Sequence, residues 1–250
     1  QSIESNGAPQ LRIKYVGKTE LDNEIEAMRE DSTIPLSISF DGRLPEHVAA
    51  AIPVAAVDSP VEQAMLFANS YNALYQMADP LNDLYLDRIT QPEAEGRSGD
   101  ESHVFFKQRI NDIPVIGATF SVHIEDGMVT STGGRYLQDT PTFPEPALSA
   151  WDAEQYLLDK FSADGLEIVG ETRLVIYNPF LLGEEDDTST QVWEVRVASA
   201  VFSGSILLDS MDTNIIDEIG EGHYARPGED FQISDHSARS WRSCGNDTIW

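Results

Sequence analysis

Apolar side chains recur at helical spacing after Ser59. Ser59 is a good N-cap and Pro60 suits the first helical position, while Glu62 stands three residues after the cap, where it would complete a capping box. From Val61 to Ala78 the apolar positions step by three and four residues, which predicts one helix with a buried face.

A second capped stripe covers residues 148–161. Ser149 is the predicted N-cap, Asp152 follows three residues later, and Ala153, Leu157 and Phe161 form the apolar face. A helix that buries one face needs a sheet or another helix to cover it. Strands are therefore expected after each helix.

Apolar and polar residues alternate in both of those regions. Ala118, Phe120 and Val122 face one way and the polar residues between them face the other, a period of two that predicts antiparallel strands with one solvated face. The same reasoning places Glu194 outward from its apolar neighbours. Predicted strands are 36–40, which ends at the turn Asp41-Gly42, and 84–89, 103–110, 118–124, 128–134, 172–177, 192–199 and 205–210.

This order predicts an α+β fold with two modules, each an amphipathic helix packed on a curled antiparallel sheet in a cystatin-like manner. The predicted organisation is an N-terminal extension (1–33), a first module (34–138), a Pro-rich connector (139–147), a second module (148–219) and a linker (220–250).

The charge and the apolar content of the chain disfavour some classes of partner. Among 250 residues, 16 Lys+Arg stand against 43 Asp+Glu, so the formal charge is −27 at pH 7. This balance disfavours nucleic acid and anionic membrane surfaces. The longest apolar run, Val48–Val57, has ten residues, far short of the roughly 20 that a bilayer requires. The acidity favours solubility, with charge steering of a partner as the alternative.

No recognisable catalytic motif is present. The sequence has no HExxH, no GxSxG and no paired-cysteine metal spacing. His103 and His123 fall on polar faces of neighbouring predicted strands, where they could make an ordinary cross-strand contact or bind a metal. The acidic segment 184–187 could be a solvated hairpin tip or a calcium ligand set. The residues alone predict a non-enzymatic binding protein without a small-molecule substrate.

Residues 103–136 closely resemble the propeptide of thermolysin/fungalysin peptidases. Residues 78–89 also look like that family, and 148–161 with 192–212 are similar to its PepSY-type module. The positions that carry the resemblance are Gln108, Pro114, Val115, Gly117, His123, Gly134 and, in the PepSY-type part, Trp193.

The resemblance implies a pro-region of a secreted, extracellular zinc metallopeptidase. Such a pro-region acts as an intramolecular chaperone and temporary inhibitor, and its partner is the cognate peptidase domain. The resemblance places zinc and calcium in that peptidase domain only, with no cofactor in this chain. A free-standing binding or inhibitor module of the same fold is the alternative, and an enzyme with an unrecognised carboxylate site is a third possibility.

Expected residue roles are mainly structural. Pro114 and Gly117 flank a turn of the strand meander, and Trp193 is expected in a core. Release is expected within the linker, at Arg226, Arg239 or Arg242 for a trypsin-like cut, or before Ile233 for a thermolysin-like cut. Cys244 is the one cysteine, either a free thiol or paired with a cysteine beyond Trp250.

Overall fold

The computed structural model describes residues 18–42, 44–55, 57, 59–91, 101–200 and 202–220. The helices among them are α1 (Lys18–Asp31), α2 (Pro60–Ser70), α3 (Asn72–Tyr75), α4 (Pro80–Asp83) and α5 (Ala150–Lys160). The strands among them are β1 (Ser37–Asp41), β2 (Leu44–Pro53), β3 (Leu84–Thr90), β4 (Glu101–Ile110), β5 (Ile113–Glu125), β6 (Met128–Arg135), β7 (Glu167–Ile168), β8 (Arg173–Tyr177), β9 (Thr190–Ala198), β10 (Ser203–Asp209) and β11 (Ile215–Gly220).

The strand pairing is largely antiparallel. Antiparallel ladders join β1 to β2, β2 to β6, β7 and β8 to β9, β9 to β10, and β10 to β11. A parallel bridge joins Val115 of β5 to Ile176 of β8. The fold is therefore α+β with few helices, which confirms the predicted class.

The chain divides into two compact units. The first contains the described residues up to Leu81 together with those of Ile89–Val104 and Val122–Gly133; the second contains Asn82–Arg88, Phe105–Ser121 and the described residues from Gly134 onward. Both β4 and β5 contribute residues to each unit. The module boundaries derived from the sequence stay a prediction.

In the first unit, aromatic residues of the helices form much of the core. Phe67 of α2 contacts Tyr71 and Tyr75, with ring centroids 4.9 and 6.4 Å apart. Tyr75 and Met28 of α1 are fully buried. Helix α1 packs against α3 and β2, so it belongs to this core although it lies in the predicted N-terminal extension.

The prediction of one helix from Ser59 to Ala78 is wrong. Ser59 caps α2, but its hydroxyl accepts the amide of Val61 at 3.2 Å and no reciprocal Glu62 bond accompanies it. The helix ends before Tyr71, and Gln76 adopts a left-handed conformation with φ of 52° after α3. The Tyr71 hydroxyl donates to Asp31 Oδ2 at 2.7 Å, and the Tyr75 hydroxyl lies 2.6 Å from Thr132 Oγ1. These tertiary hydrogen bonds compete with the local helical pattern.

In the second unit, α5 begins as predicted. Ser149 and Asp152 form the capping box, with Ser149 Oγ accepting the Asp152 amide at 3.2 Å and Asp152 Oδ2 accepting the Ser149 amide at 2.9 Å. The apolar face of α5 packs on β9 and β10 in one cluster: Ala153, Leu157, Phe161, Val195, Val197, Ile206 and Leu208.

The opposite face of β9 and β10 is also buried. Val192 and Leu207 pack there with Val175, Tyr177 and Ile219. The prediction that Glu194 faces solvent is therefore wrong: its side chain is 2% exposed. Arg173 Nε donates to Glu194 Oε2 at 2.5 Å and Ser205 Oγ donates to Oε1 at 2.9 Å, so each oxygen of the buried carboxylate accepts a hydrogen bond.

Candidate functional site

Gln108 of β4 fastens residue 137 through its side-chain amide. Its Nε2 donates to the Leu137 carbonyl at 2.8 Å, and its Oε1 accepts the Leu137 amide at 2.8 Å. The Gln108 side chain is buried, and a buried amide with both polar atoms matched avoids the free energy of an unpaired donor or acceptor. The Gln108 side chain therefore makes the two hydrogen bonds to Leu137 that a backbone peptide group of a neighbouring strand would make.

The turn between β4 and β5 is tight. Asn111 and Asp112 have φ of 52° and 65°, which is the pairing that a two-residue type I′ hairpin requires. Pro114 follows near the start of β5, where a missing amide donor is best tolerated. Val115 is buried beside Ile176, so Pro114 and Val115 direct β5 into the core of the second unit.

Two glycines of the resemblance are required by close approach. Gly117 has φ of +73°, and a β-carbon there would lie 2.7 Å from Leu182 Cδ2. Gly134 has φ of +148°, and a β-carbon would lie 2.1 Å from the Thr119 carbonyl oxygen. The first contact involves a side-chain tip and the second involves backbone. Gly134 is therefore the less replaceable residue.

Trp193 of β9 lies at the edge of the core beneath α5. Its ring packs against that cluster while remaining partly exposed, and its Nε1 donates to the Leu148 carbonyl at 3.0 Å. Leu148 directly precedes the N-cap of α5. The indole thus links β9 to the start of the helix and has a structural contact, as expected of a core tryptophan.

His103 and His123 form an edge-to-face contact with ring centroids 4.2 Å apart. Glu101 Oε1 lies 3.0 Å from His103 Nε2. Burial lowers the pKa of His123, and the neighbouring His103 and His47 lower it further, whereas Glu101 raises it. The arrangement favours a neutral imidazole at His123 and fits the predicted cross-strand contact.

Metal-ligand geometry is not found in the part of the chain that the structure describes. No group of three or more His, Cys, Asp or Glu side chains there is arranged to hold a metal ion. The acidic segment 184–187 is exposed, as a solvated tip would be. Of the described helices, none is long and apolar enough to cross a bilayer.

The sequence pattern missed a cluster of cations on β3 and β4. Asp87 bridges Arg88 and Lys107, and the Arg88 guanidinium lies 4.0 Å from the centre of the Phe105 ring. Arg109 Nε donates to the Asn82 carbonyl at 3.0 Å. Arg88 stands 19 residues before Lys107 and meets it because β3 pairs with β4, so a short window along the chain does not reveal the cluster.

The predicted release positions lie outside the described residues. They are Arg226, Ile233, Arg239 and Arg242, and Cys244 lies outside as well.

Comparison with known proteins identifies one segment. No curated protein matches the chain significantly. One solved structure, the Bacillus megaterium YpeB C-terminal domain, aligns over 78% of this chain and 93% of its own length, with 10% sequence identity and a TM-score of 0.33. Residues 97–136 match the family described as the Fungalysin/Thermolysin Propeptide Motif, and the resemblance of β4, β5 and β6 to this propeptide is thereby confirmed.

Proposed function

We propose that this chain is the pro-region of a secreted zinc metallopeptidase, and that it acts as an intramolecular chaperone and temporary inhibitor of the peptidase domain. The observation that carries the proposal is the propeptide motif at residues 97–136. That motif is non-catalytic, so the chain works by offering surface and not by reacting with a substrate.

A peptidase that folds slowly by itself would need such a surface. Extracellular proteases persist because a high barrier separates the folded from the unfolded state, and the same barrier makes unaided folding slow. A pro-region that binds native-like peptidase surface lowers the free energy of the folding transition state. If the bound pro-region also covers the cleft, the enzyme stays inactive until the pro-region is cut.

The proposed architecture is two cystatin-like modules, 34–138 and 148–219. The capping box of α5 and its packing on β9 and β10 support the helix-on-sheet plan of the second module, the PepSY-type one. In the first module, α2 and α3 supply the helical layer.

The proposed partner is the cognate peptidase domain in an extracellular setting. Zinc and calcium belong to that domain, and this chain needs neither. Nucleic acid, membranes and small-molecule substrates are not partners in this proposal, in keeping with the charge of −27.

Refolding in trans tests the proposal. The peptidase encoded in the same reading frame is denatured and refolded with or without the chain, and recovered activity is measured after proteolytic removal of the chain. We expect activity to recover at least about tenfold faster with the chain present, which corresponds to about 1.4 kcal/mol of transition-state stabilisation. Added to native peptidase, the chain should inhibit.

Other outcomes separate the alternatives. Inhibition without any gain in refolding would favour the free-standing inhibitor, as would a reading frame that encodes no HExxH after Trp250. Turnover of a peptide or glycoside by the isolated chain would favour an enzyme.

Release is proposed within residues 220–250. Cleavage follows Arg226, Arg239 or Arg242 if a trypsin-like enzyme acts, and precedes Ile233 if the peptidase cuts itself. Intact-mass analysis of the processed precursor locates the new terminus. A terminus within α5 or any described strand would contradict this proposal.

A further inference from the structure

Helix α1 packs on the first unit through a narrow stripe that includes a carboxylate. The residues of this stripe recur at helical spacing and are Leu21, Glu24, Ile25 and Met28. Of the α1 side chains that the structure describes, only Met28 is fully buried, and the other three of the stripe are partly buried. The helix contacts α3 and β2. Few buried apolar groups therefore hold α1, which is typical of an element that opens locally.

Glu24 lies in this stripe without a partner. Among the residues that the structure describes, none forms an ion pair or a hydrogen bond with its carboxylate. Burial raises the pKa of Glu24 above its usual value. An ionised carboxylate that is partly withdrawn from water and unpaired opposes the packing of the helix.

The surroundings of Glu24 add negative charge. The Tyr71 hydroxyl donates to Asp31 Oδ2 at 2.7 Å. Burial raises the pKa of Tyr71, and the carboxylates of Asp31 and Glu24 raise it further, so two carboxylates of α1 lie near one phenol. Glu20 stands four residues before Glu24 on the same helix, a spacing at which like charges repel.

The elements packed against α1 supply no ion-pair partner to the stripe among the described residues. Helix α3 contains Tyr75, whose pKa is raised by burial, so its hydroxyl is neutral. Strand β2 contains Glu46 and His47, both exposed. On α1 itself, Arg29 forms an ion pair with Glu26. Protonation of its own carboxylate is therefore how the stripe loses its negative charge.

The C-terminal end of α1 is fastened independently of the stripe. The Thr33 amide donates to the Ala51 carbonyl at 2.8 Å, and the Ala51 amide donates to Ser32 Oγ at 3.0 Å. These bonds hold the residues after α1 to β2, so the helix stays attached at one end when the stripe loses its packing. Local opening of this kind requires less free energy than global unfolding.

We propose that α1 is a pH-sensitive strap of the first unit, which closes on α3 and β2 when the Glu24 carboxyl is protonated and opens more readily when it is ionised. Because the pKa of Glu24 is raised, the folded state binds the proton more tightly than the unfolded state. The added stability is fully present below the usual value of 4.5 and is lost as the pH rises through the raised value. The strap is a property of the chain alone and does not depend on the proposed function.

Hydrogen exchange of the full chain tests the strap, with Glu24→Gln as a mimic of the protonated carboxyl. Protection factors are measured at pH 7.5 and pH 5 for the amides of α1 and for those of β9, which report on the second unit. At pH 7.5 we expect Glu24→Gln to raise the protection of α1 about fivefold and to leave β9 unchanged, because a neutral amide opposes packing less than a charge does. In the wild type, the protection of α1 relative to β9 should be higher at pH 5 than at pH 7.5.

The matched control is Glu20→Gln, which makes the same change in charge at an exposed position of the same helix. It removes the repulsion of Glu24 and also a favourable charge in the first turn, so the protection of α1 should change less than about twofold. Equal gains in the two variants would assign the effect to the net charge of the helix and would overturn the inference, as would no gain in Glu24→Gln. If Glu24→Gln alters β9 as well, the wild type at the two pH values decides, and equal relative protection of α1 at both would overturn the inference.

Discussion

The two units bury polar groups in different ways. The first places a tyrosine hydroxyl in its core: Tyr75 is fully buried and its oxygen lies 2.6 Å from Thr132 Oγ1. The second places a carboxylate, Glu194, within a strand that is covered on both faces. A hydroxyl is satisfied by one neutral partner, whereas a carboxylate needs a cation and further donors.

Each unit is therefore sensitive to a different kind of substitution. Loss of a neutral hydrogen bond leaves a small desolvation penalty, but loss of a charge partner leaves an ion in a low-dielectric environment. The second unit should therefore respond more strongly to single substitutions, and the first should respond more to pH through His123, whose pKa is lowered by burial.

The largest effect is expected at Gly134 of the second unit. Gly134→Ala would place a β-carbon 2.1 Å from the Thr119 carbonyl oxygen, which forces the backbone segments apart. We expect a loss of more than about 3 kcal/mol in the free energy of unfolding, measured with urea. The comparison variant Gly127→Ala lies in the left-handed region with φ of +73° and has no atom within 4 Å of the added β-carbon, so it should lose only about 1 kcal/mol. Equal losses would refute the close-contact explanation.

Arg173→Ala tests the buried carboxylate. The variant removes the Arg173 guanidinium from Glu194. Because the Arg173 side chain is 52% exposed, water can reach part of the site. We therefore expect the free energy of unfolding to fall by about 2–3 kcal/mol, less than the 3–5 kcal/mol typical of a wholly buried pair. Adding Glu194→Gln to this variant should restore stability, since the neutral amide no longer requires the cation. A double variant less stable than Arg173→Ala would contradict this account.

Tyr75→Phe tests the hydroxyl of the first unit. It leaves Thr132 Oγ1 without the partner at 2.6 Å, and we expect a loss of about 1–2 kcal/mol in urea unfolding. Tyr71→Phe removes a hydroxyl bonded to Asp31, an exposed residue that water can solvate instead, and should cost less than about 1 kcal/mol. A larger effect at Tyr71 would reverse the assignment.

The smallest effect is a pH dependence of the first unit. The folded state lowers the pKa of His123 below its usual 6.5, so the unfolded state binds the proton more readily. The stability contributed by neutral His123 is present above pH 6.5 and is lost as the pH falls toward the lower folded pKa. Urea midpoints between pH 7.5 and 5 should decline less in His123→Gln than in the wild type, and parallel declines would count against this role.

Short-range sequence patterns predicted those elements whose structure depends on neighbouring residues. The cap of α5 and the meander of β4, β5 and β6 follow from short-range patterns. Strand β2 was missed because residues 44–53 form an alanine-rich run that does not alternate. The ending of α2 before Tyr71 and the burial of Glu194 depend on Asp31, Thr132 and Arg173, which are distant in sequence.

For the candidate site too, the sequence predicts some residues, and only the fold explains their roles. Gly134 and Gln108 could be selected from the motif, but the reason each is needed, a carbonyl at 2.1 Å and a paired backbone at 2.8 Å, comes from the fold. The contact of Arg88 with Lys107 and its neighbours could not be predicted along the chain, because the pairing of β3 with β4 creates it.

The side chain of Gln108 takes the place of a peptide group beside Leu137, with consequences for hydrogen exchange. The Leu137 amide is protected by a side chain that can rotate, so a change of rotamer at Gln108 releases it without any strand separating. Exchange at this one amide should therefore report a side-chain motion, while the amides along β4 report the opening of the sheet itself.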